Sequence, residues 1–152
     1  MIQEPVTGKV QLRMDAAALN AFLQRAFPEA DPELMPRVTS VSPGRVMLTM
    51  STASRNLRPG GVISGPTLMS MSDSAAYALV LAHIGEVPMA VTTSLTIHFL
   101  RPCKPGVLYA EADLLRLGRR IATCDVSLWT EGRDRLAARA VVAYALPEPA
   151  AA

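Results

Sequence analysis

The sequence predicts an α+β fold in which a curved antiparallel sheet of five or six strands surrounds one long central helix. Three observations carry this expectation. The stretch GPTLMSMSDSAAYALVLAHIG, Gly65 to Gly85, reads as a helix that is apolar on nearly every side, so its surface has to be covered by other parts of the chain. Everything after Gly85 reads as strand, in four runs parted by turn residues. Those runs each present one apolar face, and together they form the one partner large enough to wrap such a helix.

Each element has its own warrant. Over Asp15 to Phe27, Leu19, Phe22, Leu23 and Phe27 recur at helical spacing behind Asp15 as N-cap, and Pro28 ends the helix. A Pro-rich linker, PEADPELMP, follows. Arg45 to Ser51 alternates, with Val46, Leu48 and Met50 on one face, as a half-buried strand does. The segment RNLRPGGVISGP is dense in Gly and Pro and reads as an ordered loop leading into the central helix, about residues 65–84. Ser64 is placed to cap that helix, Pro66 stands in its first turn where no N–H is forfeited, and Gly85 closes it.

The strand runs are Met89 to Leu100, Val107 to Arg116, Arg120 to Trp129, and the run through Leu136 to Tyr144, read as an antiparallel meander. In the first of them Val91, Thr93, Leu95, Ile97 and Phe99 are expected on the inner face. Thr92, Ser94, Thr96 and His98 are expected on the outer one. Frequent inner-face alanines (110, 112, 122, 138, 140) let the sheet approach the helix closely. We read residues 1–152 as a single domain with a frayed tail over 147–152.

Composition narrows the function classes. Fifteen basic and thirteen acidic residues give a formal charge of +2, without the surplus expected of a protein that grips a phosphate backbone. No nucleic-acid partner is expected. The N-terminus, MIQEPVTGKVQL, has no apolar region of signal-peptide length, and the longest apolar run, Ala75 to Ala82, is far short of the ~20 residues a bilayer needs. A soluble, cytoplasmic protein without membrane attachment is the expectation. Two cysteines, Cys103 and Cys124, are too few for a disulfide framework and have no metal-ligand spacing, so both are read as reduced and no metal site is expected.

Chemistry concentrates on Asp73, the single charged side chain in the first half of the central helix, with Ser70 and Tyr77 one turn to either side on its face. Burying an ionised carboxylate is costly, so such a position either has partners or titrates upward. Two readings stand: a general base, or a structural acid paired with an arginine or with Ser70. Upstream, Ser64, Gly65 and Pro66 set free backbone N–H groups at the positive end of the helix, where they can polarise a carbonyl. An ordinary helix cap has the same spacing.

The run GVISGPTLMSMSD from Gly61 to Asp73, followed by VTTSLTIHFLRP from Val91 to Pro102, resembles the hotdog-fold acyl-CoA thioesterases of the phenylacetate-degradation type. The likeness extends from about Arg45 to Tyr144. It implies that Asp73 activates the attacking water or attacks the thioester itself. It further implies that the Gly65 amide polarises the thioester carbonyl, and that Thr92 orients the water from a neighbouring subunit. Ser64 stands where that family has a histidine, Pro66 where it has a second glycine, and Arg58 where an asparagine often lies, with Asn56 two residues earlier. Ser64 and Asn56 thus enter as substitute hydrogen-bonding groups.

The resemblance implies an acyl-CoA substrate and a dimer or dimer of dimers, with coenzyme A present as part of the substrate and no further cofactor. Arg101, Lys104, Arg119 and Arg120 become candidates for its phosphates, Ser70 and Tyr77 for substrate contacts. His83, near the helix end, is expected to oppose the helix dipole, and His98 to lie at a surface or interface. The alternative keeps the fold and drops catalysis: an acyl-CoA or aromatic-ligand binding protein. A hydratase of this fold needs a histidine paired with an acid near the helix, and none stands there.

Overall fold

Asp15 caps the first helix as its position demands: its Oδ1 accepts from the Ala18 N–H at 2.8 Å. A computed structural model describes residues 11–148. Residues 149–152 of the expected tail lie outside the described residues. In chain order the elements are α1 (Ala16–Ala26), β1 (Arg37–Ser42), β2 (Arg45–Ser51), a 3-10 turn (Ser54–Asn56), β3 (Leu57–Arg58), β4 (Val62–Ile63), α2 (Gly65–Ile84), β5 (Val91–Phe99), β6 (Val107–Leu117), β7 (Ile121–Trp129) and β8 (Ala138–Ala145).

Six strands form one antiparallel sheet in the order β1-β2-β6-β7-β8-β5, and β3 and β4 pair separately. The expected meander is therefore corrected. Of its four strands only β6, β7 and β8 follow one another; β5 lies at the far edge beside β8, while β6 pairs with β2. Face alternation tells which side of a strand is apolar and leaves its neighbour open.

Strand β1 escapes alternation for a physical reason. Its inward residues Val38 and Val41 are three apart, because a bulge between Val38 and Ser40 inserts one residue into the ladder. A second bulge, between Thr92 and Ser94, corrects the reading of β5: Thr92 pairs with inward-facing Tyr144, and Val91, opposite Ala145, faces outward at 49% exposure. Leu95 and Ile97 keep the expected face.

Helix α2 packs across β2, β5, β6, β7 and β8. The inner alanines Ala110, Ala112, Ala122, Ala138 and Ala140 are all buried beneath it. From Ala75 to His83 every residue except Tyr77 is buried. The first half differs: Pro66, Met69 and Ser70 form an exposed stripe continuing to half-buried Asp73, Ser74 and Tyr77, so the helix is sheathed over its second half only. His83 is buried rather than a charge at the helix end. Its Nδ1 bonds Leu79 O at 2.8 Å and its Nε2 accepts the Gly44 N–H at 3.0 Å, which requires the neutral Nδ1–H tautomer and ties α2 to the β1–β2 turn.

Candidate active site

The entrance to α2 is held by its own loop. The Ser64 Oγ accepts from the Thr67 N–H at 3.3 Å and lies 2.9 Å from the Thr67 Oγ1. Asn56 supplies its carbonyl oxygen to the Ser64 N–H at 2.8 Å and to the Thr67 hydroxyl at 3.3 Å, and its Oδ1 accepts the Ala53 N–H at 2.9 Å. Ser64 and Asn56 are thus engaged in shaping the helix entrance. Gly65 is the first helical residue, and among the described residues its N–H donates to no protein acceptor. A side chain there would begin 3.3 Å from the Phe99 ring, so glycine permits β5 to end against the helix.

Around Gly65 opens a groove whose rim carries two guanidinium groups, Arg58 and Arg101. The other predicted cations are placed differently. Lys104 pairs with Glu131 at 3.1 Å, and Arg120 with Glu148 at 2.5 Å. Arg119 and Arg120 occupy the β6–β7 turn, beside the start of β5, whereas Arg101 and Lys104 follow its end. A strand of that length spans about 25 Å, so one chain cannot gather all four at one point.

Two turns along α2, the Asp73 carboxylate is half-buried and meets two hydroxyls. The Thr92 Oγ1 donates to its Oδ1 at 2.6 Å, and the Tyr144 hydroxyl donates to the same oxygen at 2.7 Å while lying 3.1 Å from the Asp73 carbonyl oxygen. Among the described residues no cation is paired with it and nothing donates to Oδ2. Burial, reinforced by the neighbouring carboxylate, holds the Tyr144 phenol protonated well above its ordinary range, so it remains a donor. The structural reading of Asp73 as an acid locked to an arginine or to Ser70 finds no such partner among the described residues.

Thr92 reaches Asp73 of its own chain. The bulge in β5 is the cause: without it Thr92 would face away from α2. Sequence reasoning misses Tyr144 because its role depends on standing opposite Thr92 across β5 and β8, a register that alternation does not reveal. Ser70 is exposed on the helix stripe. The Tyr77 ring tilts against Tyr144 with centroids 5.9 Å apart, and its hydroxyl donates to Pro88 O at 3.1 Å. Tyr77 and Asp73 both line an apolar cleft that runs between α2 and α1.

Gly65 and Asp73 are eight residues apart on one helix, which at 1.5 Å per residue separates them by about 12 Å. One chain therefore cannot set both on a single carbonyl group. Among the described residues no group of three or more His, Cys, Asp or Glu side chains gathers as a metal site would need, and no helix is long and apolar enough to cross a membrane.

A solved structure from Silicibacter sp. TM1040, described as a "putative thioesterase", is 35% identical and superposes with a TM-score of 0.81, covering 91% of this chain and 95% of that one. The phenylacetic acid degradation protein PaaI from Thermus thermophilus, solved as a mutant, is 26% identical with a TM-score of 0.66, over 75% of this chain and 95% of that one. A "putative esterase" of Thermoplasma acidophilum is 25% identical over 70% of this chain and 80% of its own. The family model described as "Thioesterase superfamily" matches residues 60–137, just over half of the chain, from the Gly65 loop through α2 and strands β5 to β7. With the six-stranded sheet packed on one long helix, this places the chain in the thioesterase superfamily, with the hotdog fold.

Proposed function

We propose that the protein hydrolyses acyl-CoA thioesters, with Asp73 as the acid at the reacting centre and a second copy of the chain completing the site. The observation that carries this is the Asp73 carboxylate, oriented through one oxygen by the Thr92 and Tyr144 hydroxyls and neutralised by no cation among the described residues. Hydroxyl donors orient a carboxylate without supplying a counter-charge, an arrangement that suits a general base or nucleophile. In the general-base route Asp73 takes a proton from water as the water oxygen bonds to the carbonyl carbon. The C–S bond then breaks, and the departing sulfur takes up the proton as free acid and thiol form.

The carbonyl needs a donor that the same chain cannot supply at Asp73, given the separation of about 12 Å. The Gly65 N–H at the α2 terminus of a second copy fits that role. The exposed Met69 on α2, with Phe99 at the end of edge strand β5 and Met89 and Leu100 flanking that strand, offers an apolar face for such a copy, in a dimer or dimer of dimers. Within this scheme Thr92 is a positioning residue for Asp73. The Arg58 and Arg101 groove suits the phosphates of the coenzyme half, which enters as substrate; no metal or redox cofactor is called for. We assign the activity to the cytoplasm, where a reduced pair such as Cys103 and Cys124 is the rule.

A second reading, a non-hydrolytic acyl-CoA or aromatic-ligand binding protein, is favoured by one observation. Ser64 is occupied as a cap and Pro66 has no N–H, leaving the Gly65 amide as a lone polarising donor. Thiol release from acyl-CoA decides between the two. The hydrolase releases thiol, and Asp73→Asn lowers its turnover at least a hundredfold with the fold intact by circular dichroism. Binding without release favours the second reading, and an Asp73→Asn variant as active as the wild type removes Asp73 from the chemistry.

A further inference from the structure

The cleft beside Asp73 has a different character from the groove at Gly65. Leu23 and Phe27 from the end of α1 and Ala30 and Met35 from the Pro-rich linker form its walls, and Leu48 of β2 forms its floor. Among the described residues no lysine or arginine lines it. Its polar groups, Asp73, Ser74 and Tyr77, collect on the α2 side; the Tyr77 hydroxyl is already donated to Pro88 O, and the Asp73 carboxylate is the one charged group at the end of an otherwise apolar slot. Phosphates have no counter-charge there, while the Gly65 groove carries Arg58 and Arg101.

Resting on the hydrolytic reading of Asp73, we infer that this slot receives the acyl tail, that the preferred tail is apolar and about the size of one phenyl ring, and that the segment 23–36 sets that limit. The cavity volume is about 190 Å³. An apolar protein cavity of about 150 Å³ holds a benzene molecule, so this one takes a ring or an alkyl tail of roughly six to eight carbons. Acetyl leaves it largely empty, and dodecanoyl overfills it. Phe27, at the rim, is 51% exposed in the isolated chain, a position at which an apolar side chain gains contact when a tail is seated. The wall residues all precede the matched segment 60–137, so tail length is read by a part of the chain outside it.

Thiol release is measured across a saturated acyl-CoA series from acetyl to dodecanoyl, with benzoyl-CoA added. The expected kcat/KM rises about fourfold per methylene, as burial of each CH2 predicts, and stops rising between hexanoyl and octanoyl. Benzoyl-CoA falls in the upper group. Ala30→Phe, which fills the slot, lowers the octanoyl-to-acetyl ratio of kcat/KM at least tenfold; Phe27→Ala, at an exposed rim position, moves the maximum to longer tails. A flat profile, one still rising at dodecanoyl, or one that neither variant moves would overturn the assignment of the slot while leaving hydrolysis standing. If the wild type releases no thiol from any member, the hydrolytic reading fails instead. Calorimetry with non-hydrolysable S-alkyl coenzyme A thioethers then tests the slot alone: affinity that rises to six or eight carbons and drops in Ala30→Phe supports it, and length-independent affinity overturns it.

Discussion

The Tyr144 hydroxyl stands 2.7 Å from the Asp73 Oδ1, donating to a carboxylate that approaches from the helix while the tyrosine approaches from the sheet. Thr92, directly opposite Tyr144 across β5 and β8, donates to the same oxygen at 2.6 Å. Two strands and one helix thus fix a single carboxylate orientation, and each donor comes from a different element.

That convergence predicts a specific kinetic pattern. Tyr144→Phe keeps the buried ring and removes only the hydroxyl; Thr92→Val keeps the shape and removes the other donor. Each single variant is expected to lower kcat about tenfold with KM changed less than threefold, since a carboxylate that swings from its position is less often aligned for attack. The double variant should lose more than the product of the single effects, because either donor alone still holds Oδ1. A coupling energy of about 0.5 kcal/mol or more in the double-mutant cycle is the expected reading. Additive effects, or losses confined to KM, would remove both residues from the positioning role.

Gly65 separates folding from function. A methyl group there would begin 3.3 Å from the Cζ of Phe99, a ring that is 53% exposed and has room to give way. Alanine is also the better helix former, by about 1 kcal/mol. Gly65→Ala should therefore stay within about 1 kcal/mol of wild-type stability in urea denaturation. Its turnover should nonetheless fall at least tenfold, because the added methyl crowds the approach of a carbonyl to the Gly65 amide. Wild-type turnover in that variant would show that the amide meets no substrate.

Much of this architecture is legible in the residues, and the parts that are not share a cause. The caps Asp15 and Ser64, the span of α2 and the inner alanines depend on local chemistry and one-sided burial, which the sequence displays directly. Strand β1, the inward turn of Thr92 and the partnership with Tyr144 depend on bulges and on strand order. A single inserted residue moves a side chain to the other face and leaves no mark in composition. Asp73 can be singled out because an acid on an apolar helix is anomalous by itself. The slot under α1 cannot, because its walls are ordinary apolar residues whose meaning comes from what they surround.

Alkaline pH should expose the cost of burial in this core. Burial pushes the Cys124 thiol up from 9.0 to about 12, and burial likewise raises the Tyr144 phenol. Both groups are neutral when protonated, so the folded state retains their protons at a pH where the unfolded chain has released them. The unfolded state then binds fewer protons, and stability falls as pH rises. For Cys124 the stabilisation is complete below about pH 9 and is lost as pH climbs toward 12. The slope is about 1.4 kcal/mol per pH unit for one proton. Urea denaturation between about pH 8 and pH 11 should show this decline beginning near pH 9, and Cys124→Ala should make it shallower over about pH 9 to 10, before tyrosine ionisation contributes. The comparison rests on slopes, since the alanine variant also loses a buried sulfur and starts from a lower stability at every pH. Equal slopes in the two proteins over that interval would mean that the thiol ionises as readily in the folded chain as in the unfolded one.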